Sequence, residues 1–238
     1  MMTITRTNAT AIAEVEDGRF LELVRSLTDA EWAATTCCDG WDVRAMVLHV
    51  LGAAESASKR ELIHQLRVGS KLAKQMGRVQ IDGVNELQIR ERQHLTTAEI
   101  VERLAAAQPR FRRSRRQLPA PMRAVAIPAP PYGKVKLGTL MDRTYTRDVW
   151  MHRIDISRAT GREIELTPEH DGFIVADVVE EWASVHCGPV ELTLTGPAGG
   201  RWSFGTGGEH LELDAVEFCE TMAGRRQGTG LLTTGVLF

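Results

Sequence analysis

Apolar residues recur every three or four positions over most of the first 160 residues, which is the spacing of one helix face. This pattern predicts a series of helices separated by short polar segments. We expect them over 11–27, 43–76 (one long or slightly broken helix), 84–94, 98–117 and 137–160. A connection over 119–133, which holds five of the nine prolines, is expected to be irregular. Four principal helices with one long crossover predict a four-helix bundle.

Several residues mark the expected ends of these helices. Asp42 is a suitable N-cap for the second helix, and Thr97 for the helix that follows it at 98. Pro109 is expected to kink or bound that helix, since proline cannot donate a helical hydrogen bond. Gly161 is predicted to stop the last bundle helix at its C′ position.

After Gly161 the hydrophobic pattern changes character. Pro168 is expected to open a helix that ends near His186, and residues 190–195 then alternate like a strand. Glycines over 196–200 predict a hairpin turn to a return strand. A further helix is expected over 214–222, and the tail 231–238 is apolar and β-prone. The chain is therefore predicted to hold a helical domain (1–163) followed by a small α+β domain (164–238).

Composition and charge exclude several classes of protein. The net charge of −2 argues against a general nucleic-acid or membrane-surface role, so we expect neither partner. The arginine-rich run 110–116 is interpreted as a solvated helix face. The first ten residues lack the apolar core of a secretory signal, and the apolar segment 46–54 is too short to cross a bilayer.

The four cysteines lie at positions 37, 38, 187 and 219. Adjacent cysteines rarely pair with each other and no CxxC motif occurs, so the sequence indicates neither a disulfide framework nor a thiolate zinc site. Four reduced thiols are typical of a cytoplasmic protein, which is the location we expect.

Two histidine–aspartate pairs have the four-residue spacing that places both side chains on one helix face, Asp148/His152 and His210/Asp214. About two such pairs are expected by chance in an ordinary globular chain with this many histidines and carboxylates. The setting separates them. Asp148, His152 and Asp155 form a polar stripe on a largely apolar helix, where buried polar groups need partners or a metal. His210 follows two glycines in a turn-like stretch and is interpreted as a surface residue.

His49 also occupies a predicted interior position. Its neighbours three and four residues away on the helix are all small or apolar: Ala45, Met46, Gly52 and Ala53. Such a histidine is either a metal ligand or a core residue whose imidazole is hydrogen-bonded. Together with the aspartate–histidine pair it would form a metal site between two helices.

Three separated segments resemble one protein family. Residues 40–52, GWDVRAMVLHVLG, resemble the W-x-V-R-D-x-x-x-H-L-x-G signature of the mycothiol-dependent maleylpyruvate isomerase family, within the DinB-like bundle superfamily. Residues 147–161, RDVWMHRIDISRATG, resemble that family's E-x-x-x-H-R-x-D-x-x-x-A-T-G helix. The segment 223–238 is similar to its C-terminal domain, which carries an arginine in an S/A-G-R context.

This resemblance implies a mainly α fold, a DinB-like four-helix bundle followed by a small α+β domain, and a divalent metal, usually zinc. Carried over by position, the metal ligands are His49, Asp148 and His152. The chain departs from the family at Asp148, where the best-characterised members carry glutamate. Because aspartate is one methylene shorter, the helices must approach more closely or a water must bridge. The resemblance also implies an anion-binding or catalytic role for Arg225, which by itself could be a surface arginine ending a helix.

The implied chemistry is that of a thiol-using enzyme. Three protein ligands leave a fourth metal position open, and a thiol that enters it is deprotonated. The cosubstrate would be mycothiol or a similar low-molecular-weight thiol, which adds to a small electrophile either transiently, as an isomerase, or permanently, as an S-transferase. Asp155 could orient a ligating histidine or pair with Arg158 or Arg153. The alternative is a non-catalytic metal- or ligand-binding interaction protein that keeps the bundle.

Overall fold

The structure, a computed structural model, describes residues 3–238. Its α-helices in chain order are α1 (Ala9–Ser26), α2 (Asp29–Trp32), α3 (Val43–Glu55), α4 (Lys59–Met76), α5 (Gln80–Arg90), α6 (Thr97–Gln117), α7 (Ala120–Arg123), α8 (Leu137–Thr139), α9 (Tyr145–Thr160), α10 (Asp171–His186) and α11 (Ala215–Met222). Its strands are β1 (Ala126–Pro128), β2 (Lys134–Lys136), β3 (Val190–Thr195), β4 (Gly200–Phe204) and β5 (Glu209–Asp214). A π-helical turn, Leu140–Thr144, joins α8 to α9.

Helices α1, α3, α6 and α9 pack together, which confirms the predicted four-helix bundle. Their shared core is apolar and closed to solvent, and each such side chain contributes about 1.5–3 kcal/mol of hydrophobic free energy. Its central residues include Phe20, Val47, Leu51, Ile100, Leu104 and Ile156. The hairpin of α4 and α5 packs outside the bundle against α3. Gly83 allows this hairpin to close, since a Cβ at that position would lie 2.1 Å from the carbonyl oxygen of Gly69.

The helix boundaries differ from the prediction where serine and threonine compete for the backbone. The helix predicted over 43–76 is broken into α3 and α4, because the hydroxyl of Ser58 accepts from the backbone N–H of Glu61 and caps a new helix. Thr96, not Thr97, caps α6, since Thr96 and Glu99 form a capping box. Asp42 caps α3 as predicted, and Pro109 lies inside α6 without ending it.

The connection predicted to be irregular over 119–133 contains regular structure. It holds the short helix α7 and strand β1, and β1 pairs antiparallel with β2. The turn between the strands is closed by a hydrogen bond from the Ala129 N–H to the Gly133 carbonyl oxygen. Gly133 has a φ of 80°, a conformation that glycine adopts without strain.

The arginine-rich run was predicted to be a solvated face, and this is wrong for two of its arginines. Arg115 is buried and donates to the carbonyl oxygen of Met141 and to the hydroxyl of Thr146. Arg112 is mostly covered and pairs with Asp17. These arginines join α6 to α1 and α9, so the run serves the packing of the bundle.

The C-terminal part is a three-stranded sheet in the order β4-β3-β5, covered by α10 and α11. The hairpin of β3 and β4 confirms the prediction. Strand β5, which runs parallel to β3, was not predicted because the glycines before it indicated a turn. His210 lies on β5 and is exposed, as expected. The tail predicted to be β-prone forms a 3-10 turn at Gly230–Thr233 instead, and α10 begins at Asp171 rather than at Pro168.

Helix α9 contributes to two hydrophobic cores. Ile156 lies in the bundle core, whereas Trp150, Met151 and Ile154 pack with α10, α11 and the sheet. The buried guanidinium of Arg147 also crosses to α10, where it donates to the carboxylate of Asp177 at 2.6 Å.

The division of the chain at residue 163 stays a prediction, and residues 1 and 2 of the predicted first domain lie outside the described residues. No helix within residues 3–238 is long and apolar enough to cross a membrane.

Candidate metal centre

Three side chains meet between α3 and α9. His49 projects from α3, while Asp148 and His152 lie one turn apart on α9. The carboxylate of Asp148 lies between the imidazoles, with 3.4 Å from Oδ2 to Nε2 of His49 and 3.3 Å from Oδ1 to Nε2 of His152. One ligand atom from each residue can be chosen so that all three lie within 4.8 Å of one another. The structure therefore brings together the three residues predicted as metal ligands.

Both histidines turn the same ring nitrogen away from this centre. Nδ1 of His49 lies 2.8 Å from Oε1 of Gln88, and Nδ1 of His152 lies 3.1 Å from Oδ2 of Asp155. These contacts leave Nε2 of each imidazole facing Asp148. Metal-ligating histidines are usually held in this way, with the outer nitrogen hydrogen-bonded to a carboxylate or carbonyl oxygen.

Two separations in this cluster, one from each imidazole to a different oxygen of Asp148, are those expected between ligands of a zinc ion. With metal–ligand bonds of about 2.0–2.2 Å and tetrahedral angles, neighbouring ligand atoms are about 3.3–3.5 Å apart. Each imidazole nitrogen has an oxygen of Asp148 at this separation. Two imidazoles and one carboxylate are also a donor set that zinc accepts at catalytic sites. The shorter aspartate carboxylate lies directly between the two imidazoles.

The electrostatics of the cluster favour a cation. Burial alone would raise the pKa of Asp148, but the two adjacent histidines outweigh it and hold the pKa far below its usual range. Burial would lower the pKa of His152, but Asp148 and Asp155 raise it to about 9. The anionic carboxylate thus holds a positive charge next to it, which a divalent metal would supply in place of protons.

Asp155 connects this centre to the C-terminal part of the chain. Burial would raise its pKa, but hydrogen bonds from His152 and Arg225 lower it to about 2, so it is ionised. Of the two roles considered from the sequence, Asp155 has the one that orients a histidine. Arg158 pairs instead with Glu220.

Arg225 extends from the segment after α11 to Asp155. Its Nη2 donates to Oδ2 of Asp155 at 2.9 Å, its Nε contacts the same carboxylate at 3.3 Å, and its Nη1 donates to the carbonyl oxygen of Ala223. A guanidinium has five N–H groups, so one on Nη1 and one on Nη2 have no partner among residues 3–238. Arg225 borders a cavity of about 260 Å³. The other lining residues are Cys37, Asp155, Arg158, Ala159, Glu220 and Arg226.

Two cysteines for which no role was predicted lie at the same place. The thiol of Cys37 donates to Oδ1 of Asp155 at 3.2 Å, and Cys38 is close enough to form a possible ligand group with both. Burial and the negative charge of Asp155 raise the pKa of Cys37 to about 12. This thiol is therefore protonated at neutral pH and is a poor nucleophile.

Trp41 and Gln88 also belong to the centre and were missed as parts of it. The Trp41 ring lies 5.2 Å from the His49 ring and 6.2 Å from the His152 ring, centroid to centroid. Trp41 stands within the family-like motif, so that motif was the available signal. Gln88 comes from α5, outside any motif, and no sequence pattern connects it to His49.

Comparison with known proteins identifies a family and a fold. The family model of the mycothiol maleylpyruvate isomerase N-terminal domain matches residues 13–157, more than half of the chain, and this segment contains all three ligand residues. A crystal structure of mycothiol-dependent maleylpyruvate isomerase is similar with a TM-score of 0.60 and 15% identity, and covers 95% of this chain and 93% of that one. A histidine-to-alanine variant of that enzyme matches with the same TM-score and coverage at 14% identity. At this identity the likeness shows the fold. No curated protein matches the sequence.

Proposed function

The chain belongs to the mycothiol maleylpyruvate isomerase N-terminal domain family, and from this we propose that it is a zinc-dependent enzyme that uses a thiol cosubstrate. The cosubstrate is mycothiol or a similar low-molecular-weight thiol. The reaction is addition of its sulfur to a small electrophilic carbon. Addition followed by loss of the same thiol gives an isomerase, whereas retention of the new C–S bond gives an S-transferase.

The arrangement of His49, Asp148 and His152 carries this proposal. These three residues would hold a zinc ion, and three protein ligands are the number found at catalytic zinc sites. When bound, the zinc would supply a positive charge that lowers the pKa of a thiol beside it and so favours the reactive thiolate at neutral pH. The ring of Trp41 lies beside both imidazoles, and both histidines are buried.

Arg225 binds an anionic group of the substrate. Its side-on edge is occupied by Asp155, but the two N–H groups at its end form a fork that matches a carboxylate. Asp155 also forms a hydrogen bond with His152. Its carboxylate therefore positions both the metal ligand His152 and the arginine that binds the substrate anion. The adjacent cavity of about 260 Å³ provides room for a small electrophile.

The nucleophile comes from outside the chain. The pKa of Cys37 is raised to about 12 by burial and by Asp155, and burial also raises the pKa of Cys38. Neither thiol is ionised at neutral pH, so neither replaces the cosubstrate. A reaction that consumes a reduced thiol takes place in a reducing compartment, and we assign it to the cytoplasm.

Turnover of zinc-loaded protein with mycothiol and maleylpyruvate tests the proposal. Proton NMR distinguishes the cis double bond of the substrate from a trans product and from a thioether adduct. We expect one of these products with the thiol present, and none without the thiol or in His152→Ala. One equivalent of bound zinc with neither product, across a panel of electrophiles, would favour the non-catalytic binding protein.

Comparison of Arg225→Met with Arg226→Met tests whether Arg225 binds the substrate anion, or whether any positive charge that lines the cavity has the same effect. Both arginines line the same cavity, but Arg226 pairs with Glu217 and Glu220 on the surface. We expect Arg225→Met to raise KM by 10-fold or more, the rough value of a charge-assisted hydrogen bond. Arg226→Met serves as the control and should leave KM unchanged.

A further inference from the structure

A chain of hydrogen bonds leads from the metal centre through the α4–α5 hairpin. It begins at Nδ1 of His49 and passes through the side-chain amides of Gln88 and Gln65, which we call the amide relay. We infer that the amide relay keeps a proton on Nδ1 of His49 and thereby directs Nε2 at the metal position. The inference deepens the proposed function. It rests on that function only for the identity of the metal that Nε2 binds.

The direction of the relay is set at its far end. Nε2 of Gln65 lies 2.8 Å from the carbonyl oxygen of Gly52 and 2.9 Å from Oε1 of Glu61. A carbonyl and a carboxylate only accept hydrogen bonds, so the amide nitrogen of Gln65 must face them. Burial would raise the pKa of Glu61, but hydrogen bonds from Gln65 and Arg92 lower it, which keeps the carboxylate ionised.

This orientation passes along the chain to His49. With its nitrogen committed, Gln65 presents Oε1 to Gln88 and accepts from Nε2 of Gln88 at 2.9 Å. The amide of Gln88 must then direct Oε1 at Nδ1 of His49, which lies 2.8 Å away. An amide oxygen accepts only, so the hydrogen belongs to Nδ1. Reversing both amides would place the Gln65 oxygen against Gly52 and Glu61 and leave buried groups without partners.

The surroundings are built to hold this relay. Gln65 and Gln88 are only 2% and 4% exposed. Gly52 is required for the approach, since a Cβ there would lie 2.5 Å from Cβ of Gln88. Arg92 donates to Glu61 at 2.9 Å and to the backbone carbonyl of Gln88 at 3.0 Å, and so ties both ends of the relay together.

The other ligating histidine explains why a relay is needed. Nδ1 of His152 faces Asp155, whose carboxylate can only accept, so a single residue defines the position of that proton. Gln88 can present either oxygen or nitrogen to His49. Its orientation is defined only through Gln65, which makes both glutamines positioning residues for one metal ligand.

The proton on Nδ1 can be observed directly in metal-free protein labelled with 15N-histidine. Long-range proton–nitrogen spectra show whether Nδ1 of His49 is protonated, and His49→Ala assigns the signal. We expect a protonated Nδ1 in the wild type. In Gln65→Met, Gln88 is free to turn, and an unprotonated Nδ1 should appear.

Two further variants control this result. Gln88→Glu, with its carboxyl protonated on the oxygen that donates to Oε1 of Gln65, keeps an oxygen against Nδ1 and should retain the proton there, so it shows that the acceptor matters rather than the amide. Gln108→Met removes another buried glutamine, 4% exposed, whose Nε2 has no hydrogen-bond partner among residues 3–238, and should match the wild type. Circular dichroism checks that each variant is folded.

Zinc affinity, measured by competition with a chelator, gives the second readout. Loss of an outer hydrogen-bond partner weakens metal binding by about 10- to 100-fold, and we expect this of Gln88→Met and Gln65→Met but of neither control. An unprotonated Nδ1 in the wild type would overturn the relay. So would a Gln65→Met protein that matches the wild type in both Nδ1 protonation and zinc affinity. If the wild type binds no zinc, the proposed function fails, while the NMR result still decides the relay.

Discussion

Two buried clusters in this protein combine histidine with carboxylates, and each brings its ligand atoms within 4.8 Å of one another. The first is the metal centre of His49, Asp148 and His152, between α3 and α9. The second, which we call the ion network, consists of Glu16, His170 and Asp171, between α1, α9 and α10. Residue types and distances alone would assign a metal to both.

The difference lies in what already neutralises the carboxylates. In the ion network Arg153 donates to Glu16 at 2.7 Å and to Asp171 at 2.6 Å, and Arg19 donates to Asp171 at 2.6 Å. A divalent cation there would meet two guanidiniums. In the metal centre no arginine contacts Asp148 within residues 3–238. The compensating charge, rather than the ligand count, therefore distinguishes a metal site from a structural ion pair.

Metal content should separate the two clusters most sharply. We expect His152→Ala to lose the zinc that the wild type carries at one equivalent, because the two remaining ligands hold zinc poorly. His170→Ala should keep the full equivalent. Elemental analysis of both proteins, purified without chelators, makes the comparison, and equal zinc in the two variants would remove the distinction.

Stability should respond in the opposite order. Asp171→Asn leaves Arg153 and Arg19 short of a buried partner, and we expect it to lower the free energy of unfolding by about 3–5 kcal/mol. Asp148→Asn in metal-free protein should cost less, since the Asp148 side chain is 23% exposed and His152 can release its proton. Urea denaturation of both metal-free variants measures the difference. A larger loss in Asp148→Asn would contradict it.

The pH dependence of metal-free protein sharpens the comparison further. The pKa of His152 is raised from 6.5 to about 9, so its contribution to stability is complete below pH 6.5 and is lost as the pH rises through 9. At roughly 1.4 kcal/mol per pKa unit, the loss is at most about 3.5 kcal/mol.

Urea denaturation at pH 6.5 and pH 9 tests this dependence. His152→Ala should not show it, and neither should zinc-loaded wild type, because the metal replaces the proton on Nε2. The expectation fails if metal-free wild type is equally stable at both pH values, or if His152→Ala loses as much stability as the wild type.

Asp148→Glu should have the smallest effect. It introduces the glutamate of the pattern that residues 147–161 resemble, into a site where the aspartate carboxylate already lies between both histidines. We expect one equivalent of zinc and a change in Kd of less than about 10-fold, or about 1.4 kcal/mol. Chelator competition measures it. A complete loss of zinc would mean that the distance between α3 and α9 is adjusted to aspartate alone.

The fold could be predicted where local pattern decides it. The bundle helices and the β3–β4 hairpin follow from apolar spacing and glycine turns. Strand β5 could not be predicted in this way. It pairs in parallel with β3, although β4 lies between the two in the sequence, so its place depends on contacts between distant parts of the chain. The break between α3 and α4 depends on the cap at Ser58, which helix-favouring composition did not reveal.

The site could be predicted only as far as its motifs extend. His49, Asp148 and His152 stand in segments with a family pattern, and the structure brings them together. Gln88, Gln65 and Cys37 come from parts of the chain without such a pattern, and only tertiary packing connects them to the site. The ion network was missed for the same reason, since its members come from α1 and from the start of α10.

X-ray absorption at the zinc edge tests the central claim most directly, because sulfur and nitrogen ligands differ in bond length. Cys37, Cys38 and Asp155 form the nearest competing ligand group. We predict only nitrogen and oxygen neighbours at about 2.0–2.2 Å in thiol-free, zinc-loaded protein, with the imidazole signature of two histidines. Sulfur neighbours at about 2.3 Å would place the metal on the cysteines and contradict the account.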